Sequence, residues 1–201
     1  MLIRNKKIIA PLLSTILILS TGCSLGGSTT STTTAGTGVE ESVLQTLTND
    51  EFQVTLPKAW NTIKQNEFTS DIPKNAVIVF QANRKNEVFL TNVNIVKNNL
   101  SQTISSLDYG KIVAANQKNA LQNFVEKSRD EIDTTIKGNK DKVLRIKFEG
   151  KRTTTDPLVT FVQTYYVVDR TVYIVTGSYA SAEDASVQKE ADNIVQSFSV
   201  K

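Results

Sequence analysis

Histidine is absent from the 201 residues and cysteine occurs once. The first absence removes the side chain that most often acts as general base near neutral pH and most often ligates transition metals. A lone thiol, Cys23, can close no intramolecular disulfide and build no cysteine-based metal centre. Glycine is sparse at 9 residues, and none of the 9 builds a phosphate-cradling loop or a Gly-x-Ser-x-Gly nucleophile elbow. An excess of one charge is also missing. The formal +3 comes from Arg4, Lys6 and Lys7, the only charged residues before Cys23; beyond them 20 Lys+Arg face 20 Asp+Glu. A neutral domain lacks the basic surface that nucleic-acid binding requires, and it exerts no long-range steering on anionic partners. No cofactor and no nucleic-acid partner is expected.

Long apolar runs are missing as well, with one informative exception. Ile8 to Leu19 spans 12 positions broken only by Pro11, Ser14 and Thr15, against about 20 apolar residues for a membrane-spanning helix. With the basic residues ahead of it and the small Ser20, Thr21 and Gly22 behind, the run has the three-part form of an export signal over residues 1–22. Leu19-Ser20-Thr21-Gly22-Cys23 resembles the lipobox of bacterial lipoproteins, although the usual large aliphatic residue stands one position further upstream. That resemblance implies cleavage before Cys23 and a thiol carrying diacylglycerol with palmitate-class chains. The alternative is an ordinary export signal with an incidental cysteine. It is weakened because the only cysteine lies where the signal ends. Ser24, rather than Asp, follows the cysteine. The resemblance then implies an extracytoplasmic anchor, in the outer membrane of a two-membrane bacterium or on the outer face of a single membrane.

Residues 23–39 form a tether: Ser24 to Gly38 reads SLGGSTTSTTTAGTG, without a charge and with one large apolar side chain. Such a segment buries too little surface to offset its ordering entropy, and its r.m.s. reach is about 20 Å. The Thr run is a candidate for O-glycosylation, though plain spacing explains it.

From residue 40 to 201 the pattern becomes that of one domain. Glu40 to Leu47 reads as a short lead-in helix, Phe52 to Leu56 as a half-buried strand closed by Pro57, and Lys58 to Ile63 as a turn or helical coil. Strands are predicted over Ala76 to Gln81 and Glu87 to Val96, with a polar hairpin turn at 83–86 between them. Ser105 or Ser106 caps a helix on which Tyr109, Val113, Ala120 and Phe124 fall near helical spacing, with Ile112 and Leu121 flanking and Gly110 weakening it locally. Four strands follow over Glu126 to Asp133, Lys142 to Glu149, Leu158 to Val168 and Thr171 to Tyr179, the last two joined by Asp169-Arg170. Ser181 to Asp184 reads as a capping box, and Val187, Ala191, Ile194, Val195 and Phe198 mark an amphipathic helix behind it. Hairpins interrupted by two helices indicate an α+β domain with helices packed on an antiparallel sheet.

Several segments are similar to the PsbP/DcrB-like family of small secreted domains. Phe52-Gln53-Val54-Thr55-Leu56-Pro57-Lys58-Ala59-Trp60 resembles that family's strand followed by Pro-x-x-Trp. Ser106-Leu107-Asp108-Tyr109 resembles the start of its central helix, and Tyr173 to Gly177 with Ile194 to Phe198 its last strand and helix. The likeness covers about residues 50–201 and implies an α/β/α sandwich. Members include a photosystem II extrinsic subunit and bacterial envelope lipoproteins. Where such proteins bind metal, histidine often contributes, so no metal site is carried over.

Candidate site residues are few. Trp60 is a candidate for ligand stacking, set against simple packing over the sheet edge. Tyr165, Tyr166, Tyr173 and Tyr179 cluster in the last hairpin and are candidates for lining a binding surface, although alternation turns half of them inward. Asp130, Glu131 and Asp133 form an acidic knot with no turn loop to supply the further oxygens Ca²⁺ needs, which reads as a solvated strand edge. Asp108 falls in the first turn of a helix, where the macrodipole favours it. A non-catalytic binding or accessory module for an envelope protein partner or small ligand is expected. The alternative is a cell-surface hydrolase using carboxylates or a Ser/Lys pair.

Overall fold

The computed structural model describes residues 43–70, 72–83 and 88–201. The leader, Cys23, the tether and the start of the expected lead-in helix lie outside the described residues, as do positions 84–86 of the expected hairpin turn. The described elements run β1 (Leu44–Thr48), β2 (Phe52–Pro57), β3 (Asn61–Lys64), β4 (Ala76–Gln81), β5 (Asn92–Asn99), α1 (Ser106–Ala120), β6 (Gln122–Ile136), β7 (Asn139–Lys151), β8 (Val159–Val168), β9 (Thr171–Ala180), α2 (Ala185–Ser197) and β10 (Ser199–Val200). A single 3-10 turn, Gln65–Glu67, follows β3. Seven strands make an antiparallel sheet ordered β3-β4-β5-β9-β8-β7-β6, and β1-β2-β10 make a small second sheet. The fold is α+β with helices packed on an antiparallel sheet, as the pattern of the sequence predicts.

The large sheet is covered on both faces. Helix α1 lies over Leu144, Ile146, Phe148, Phe161 and Tyr165 on one side. On the other, α2 and β2 share a core with Val93, Val175 and Tyr179. That explains β8, all ten residues of which are buried. Its apolar side chains occupy both parities because both faces need them, as in a sheet enclosed between layers.

Each helix starts on a side-chain cap. The Ser105 hydroxyl accepts the Asp108 N–H at 3.0 Å and donates to the Asp108 carboxylate at 2.7 Å. In α2 the cap is Asp184, which accepts the Ser186 N–H at 2.8 Å, and not Ser181. Ser181 is still engaged with the sheet, through its N–H to the Leu158 carbonyl and its hydroxyl beside that of Thr160 at 3.1 Å.

The segment read as a lead-in helix is strand β1 from Leu44 onward. Two of its five residues are β-branched threonines, and β2 offers a regular partner along its whole length, including a Thr46–Thr55 hydroxyl contact at 3.0 Å. Strand β3 replaces the second half of the expected coil at Lys58 to Ile63. Strand β5 begins at Asn92, later than expected, and Phe89 is buried from the preceding loop instead of from the strand. The hairpin β6–β7 is longer than its predicted strands, and it takes Phe124 out of the expected helix, since α1 ends at Ala120 and β6 starts at Gln122, paired with Lys151 of β7. It turns on Lys137 (φ 49°) and Gly138 (φ 78°), two consecutive left-handed residues of the kind that match strand twist.

Gly110 lets α1 sit close to the sheet. A Cβ there would meet Leu144 Cβ at 2.7 Å and a Tyr165 ring carbon at 2.9 Å. In an exposed helix Gly→Ala gains about 1 kcal/mol. Here overpacking reverses the sign, and Gly110→Ala is expected to cost a net ~1–2 kcal/mol. Thermal unfolding followed by circular dichroism should show Tm falling by roughly 3–6 °C; a rise in Tm would contradict the close approach.

Candidate functional site

The four tyrosines do not form an exposed surface: all are buried, because the hairpin that carries them is the centre of a sheet covered on both sides. Alternation divides them between two cores instead of between core and water. Tyr165 lies under α1. Its hydroxyl donates to Gln163 Oε1 at 2.7 Å, which also accepts from the Gln117 side-chain amide, while Gln163 Nε2 donates to Thr176 Oγ1 at 2.9 Å. Burial pushes the Tyr165 phenol above its ordinary range, so it stays a neutral donor. Tyr166 packs on Phe198 with ring centres 4.9 Å apart.

Tyr179 lies on the α2 side and donates to Asp192 Oδ1 at 3.1 Å. Asp192 takes Lys147 on its other oxygen at 3.1 Å, and the Lys147 ammonium stands 5.5 Å from the Tyr179 ring centre. Burial, then the Asp192 charge, raises the Tyr179 phenol. Tyr173 stacks edgewise on Phe52, and its hydroxyl end meets Glu51 and Lys97, which form a direct ion pair. Burial raises this phenol too, and the hydrogen bond to Glu51 raises Lys97.

Trp60 is buried, and its indole N–H donates to Glu190 Oε2 at 2.8 Å. Its ring is core, and its polar edge holds a carboxylate of α2 in place. The acidic knot does not converge. Asp130 faces Arg145 at 3.3 Å, Glu131 faces Lys111 at 2.9 Å and Asp133 faces Lys142 at 3.4 Å. Among the described residues no group of three or more metal-ligating side chains comes together. Asp108 serves the α1 cap.

Two concavities flank the small sheet. A groove of about 340 Å³ runs between β1–β2 and α2, walled by Leu44, Thr55 and Pro57 on one side and Glu190, Ile194 and Ser197 on the other. Its floor is pinned by Ser197, whose hydroxyl accepts the Thr55 N–H at 2.9 Å. Among the described residues that line it Glu190 is the one charged side chain, and it already receives the Trp60 N–H. The second, a cleft of about 210 Å³, holds the Glu51–Lys97 pair, Tyr173 and the Lys137–Asp169 pair at 3.1 Å. Its main charges are matched internally. The groove suits an uncharged side chain or short chain segment. Sequence reasoning reached Trp60, which bonds to the groove's Glu190, but not the groove, because its two walls lie about as far apart in the chain as the 130 residues that separate Trp60 from Glu190.

No family model matches the sequence, and no curated protein matches it. Solved structures do. The cyanobacterial PsbP (CyanoP) of Synechocystis sp. PCC 6803 is 14% identical, with 84% of this chain and 98% of that one covered at a TM-score of 0.54. LpqN, involved in cell envelope biogenesis of Mycobacterium tuberculosis, is 12% identical, with 81% and 87% covered at 0.56. At such identities the likeness is one of fold, and this chain has a PsbP-like fold.

Proposed function

We propose that the protein is a lipid-anchored extracytoplasmic accessory module, non-catalytic, which binds a partner protein beside the membrane through the groove between the small sheet and α2. The groove carries this reading. It is concave and nearly uncharged, and Leu44 on its wall lies next to Val43, where the chain arrives from the tether. The groups best suited to acid–base work are occupied elsewhere: Asp192 by Tyr179 and Lys147, Glu51 by Lys97, and the Tyr165 hydroxyl by Gln163. An envelope location fits the fold neighbour involved in mycobacterial envelope biogenesis and the lipobox-like leader.

A photo-reactive residue at Asn193, in the groove, is expected to give a discrete adduct in intact membranes. One at Lys118, on α1 across the sheet, is not. Absence of a groove adduct under all growth conditions would overturn the reading.

A further inference from the structure

The sheet face beneath α1 changes character across its width. On β7 and β8 it is apolar, with Leu144, Ile146, Phe148 and Phe161. On β5 and β9 it carries Asn92, Asn94, Thr176 and Ser178, alternating with Val93, Ile95 and Val175 of the α2-side core. Gln163 fixes the side, since it donates to Thr176 Oγ1 and accepts from the Gln117 amide of α1. In a sheet with one wet face such alternation is ordinary. Here the polar parity is closed in: Asn92, Asn94 and Ser178 are 0% exposed and Thr176 is 1% exposed.

Register sets the four as two cross-strand pairs, Asn92 opposite Ser178 and Asn94 opposite Thr176. They occupy a patch of about 7 Å along the strands by about 5 Å across them. Part of their bonding capacity is used, because Thr176 takes Gln163 and the Asn92 amide donates to the Leu90 carbonyl at 3.0 Å. The rest is not. Among the described residues, Asn92 Oδ1, Asn94 Oδ1, Asn94 Nδ2 and Ser178 Oγ have no hydrogen-bond partner. Neither cross-strand pair is bonded directly although its members stand opposite each other, which is the spacing an inserted molecule requires. A buried amide with both ends unbonded is strongly unfavourable in a dry interior, and such groups in folded proteins are bonded to protein or to a held small molecule such as water.

We infer that Asn92, Asn94 and Ser178 form an interior binding site for a small uncharged molecule that both donates and accepts hydrogen bonds, the chemistry shared by water, simple amides and diols. The unused groups set that class. Asn92 Oδ1 and Asn94 Oδ1 need donors, Asn94 Nδ2 needs an acceptor, and the Ser178 hydroxyl serves as either. Charge is excluded by the strands themselves. β4, β5 and β9 contain no acidic residue, so a hard cation has no match. Their one basic residue, Lys97, is paired with Glu51 beside Tyr173 of the α2-side core, so an anion has none either. The site lies on the face opposite the groove between the small sheet and α2, and neither reading depends on the other.

A crystal structure of the full-length protein, at a resolution that shows ordered water, tests the site directly. Density is expected between β5 and β9 side chains, bonded to Asn94 and to at least one of Asn92 and Ser178. Soaks in acetamide and in ethylene glycol separate the sources. Replacement of the density by either solute extends the site to small amides or diols, and density unchanged by both identifies water as the occupant. A patch without density, or Asn92, Asn94 and Ser178 bonded to one another, overturns the inference. Thermal unfolding gives a second readout that needs no crystal. Asn94→Leu keeps the size of the side chain, so in a dry interior it removes an unbonded amide and raises Tm. In a filled site it strips the bound molecule of a partner, and Tm should fall. Ser178→Ala adds no bulk and should also lower Tm, and it carries the test if Asn94→Leu does not fold. A Tm unchanged or raised by either substitution would mean that these groups hold nothing.

Discussion

Cys23→Ala is expected to move the mature protein from the membrane pellet to the soluble extracytoplasmic fraction. The variant should be placed behind an export signal that is cleaved whatever residue occupies position 23, so that an unprocessed leader cannot itself retain the chain. The two acyl chains of the proposed anchor set the expected size of the effect. Each buried CH₂ contributes about 0.8 kcal/mol, so a chain of a dozen or more contributes about 10 and a pair about 20, against marginal, reversible binding for a single chain. Nothing described in the domain replaces them. No described helix is long and apolar enough to cross a membrane, and beyond the leader 20 Lys+Arg balance 20 Asp+Glu, leaving no net attraction to anionic lipid. Labelled fatty acid should be incorporated by the wild-type chain and not by the variant. An unlabelled wild-type chain, or an Ala variant that still pellets after alkaline wash, would remove the anchor from the account.

What could be read from the sequence follows physical lines. Helix α2 was legible because Val187, Ala191, Ile194 and Val195 fall on one stripe over three turns, and all four are buried. The β8–β9 hairpin was legible from β-branched and aromatic density around Asp169, whose φ of 56° suits the turn. Strand β1 was not, because two leucines three residues apart fit a helix as well as a strand over so short a window. Only pairing with β2 decides between them.

The tyrosines misled for a different reason. Reading half of them outward assumes a sheet with one wet face, whereas apolar residues at both parities of β8, such as Phe161 and Val162, signal two dry ones. The partners of the acidic knot, Lys111, Lys142 and Arg145, come from α1 and β7. No local pattern in β6 contains them.

Gln163→Leu is expected to be among the most damaging single substitutions in the domain, at about 3–5 kcal/mol, although it replaces a polar side chain with an apolar one of similar size in an apolar surrounding. The cost lies in what remains. Gln163 is buried at the centre of the α1-side core and is the acceptor for both the Tyr165 hydroxyl and the Gln117 amide, and the donor to Thr176. Leucine leaves the buried Tyr165 hydroxyl without an acceptor and the Gln117 amide with only the Tyr165 oxygen at 3.5 Å, each loss costing about 1–3 kcal/mol, in a setting where low dielectric gives them no screening.

Removing the orphans should return most of that loss. Tyr165→Phe deletes one donor, and Gln117→Leu deletes the other together with an Oε1 that already has no partner. The triple variant should therefore lie within about 1–2 kcal/mol of the wild type, although each of the other two changes costs about 1 kcal/mol alone. Urea unfolding with the m-value checked for constancy measures the cycle. A coupling energy of at least ~2 kcal/mol among the three sites marks a network in which the members are tolerable only together. Additive losses, or a Gln163→Leu cost below about 1 kcal/mol, would mean that Tyr165 and Gln117 find other acceptors, and that the polar row beneath α1 is three separate contacts, not one unit.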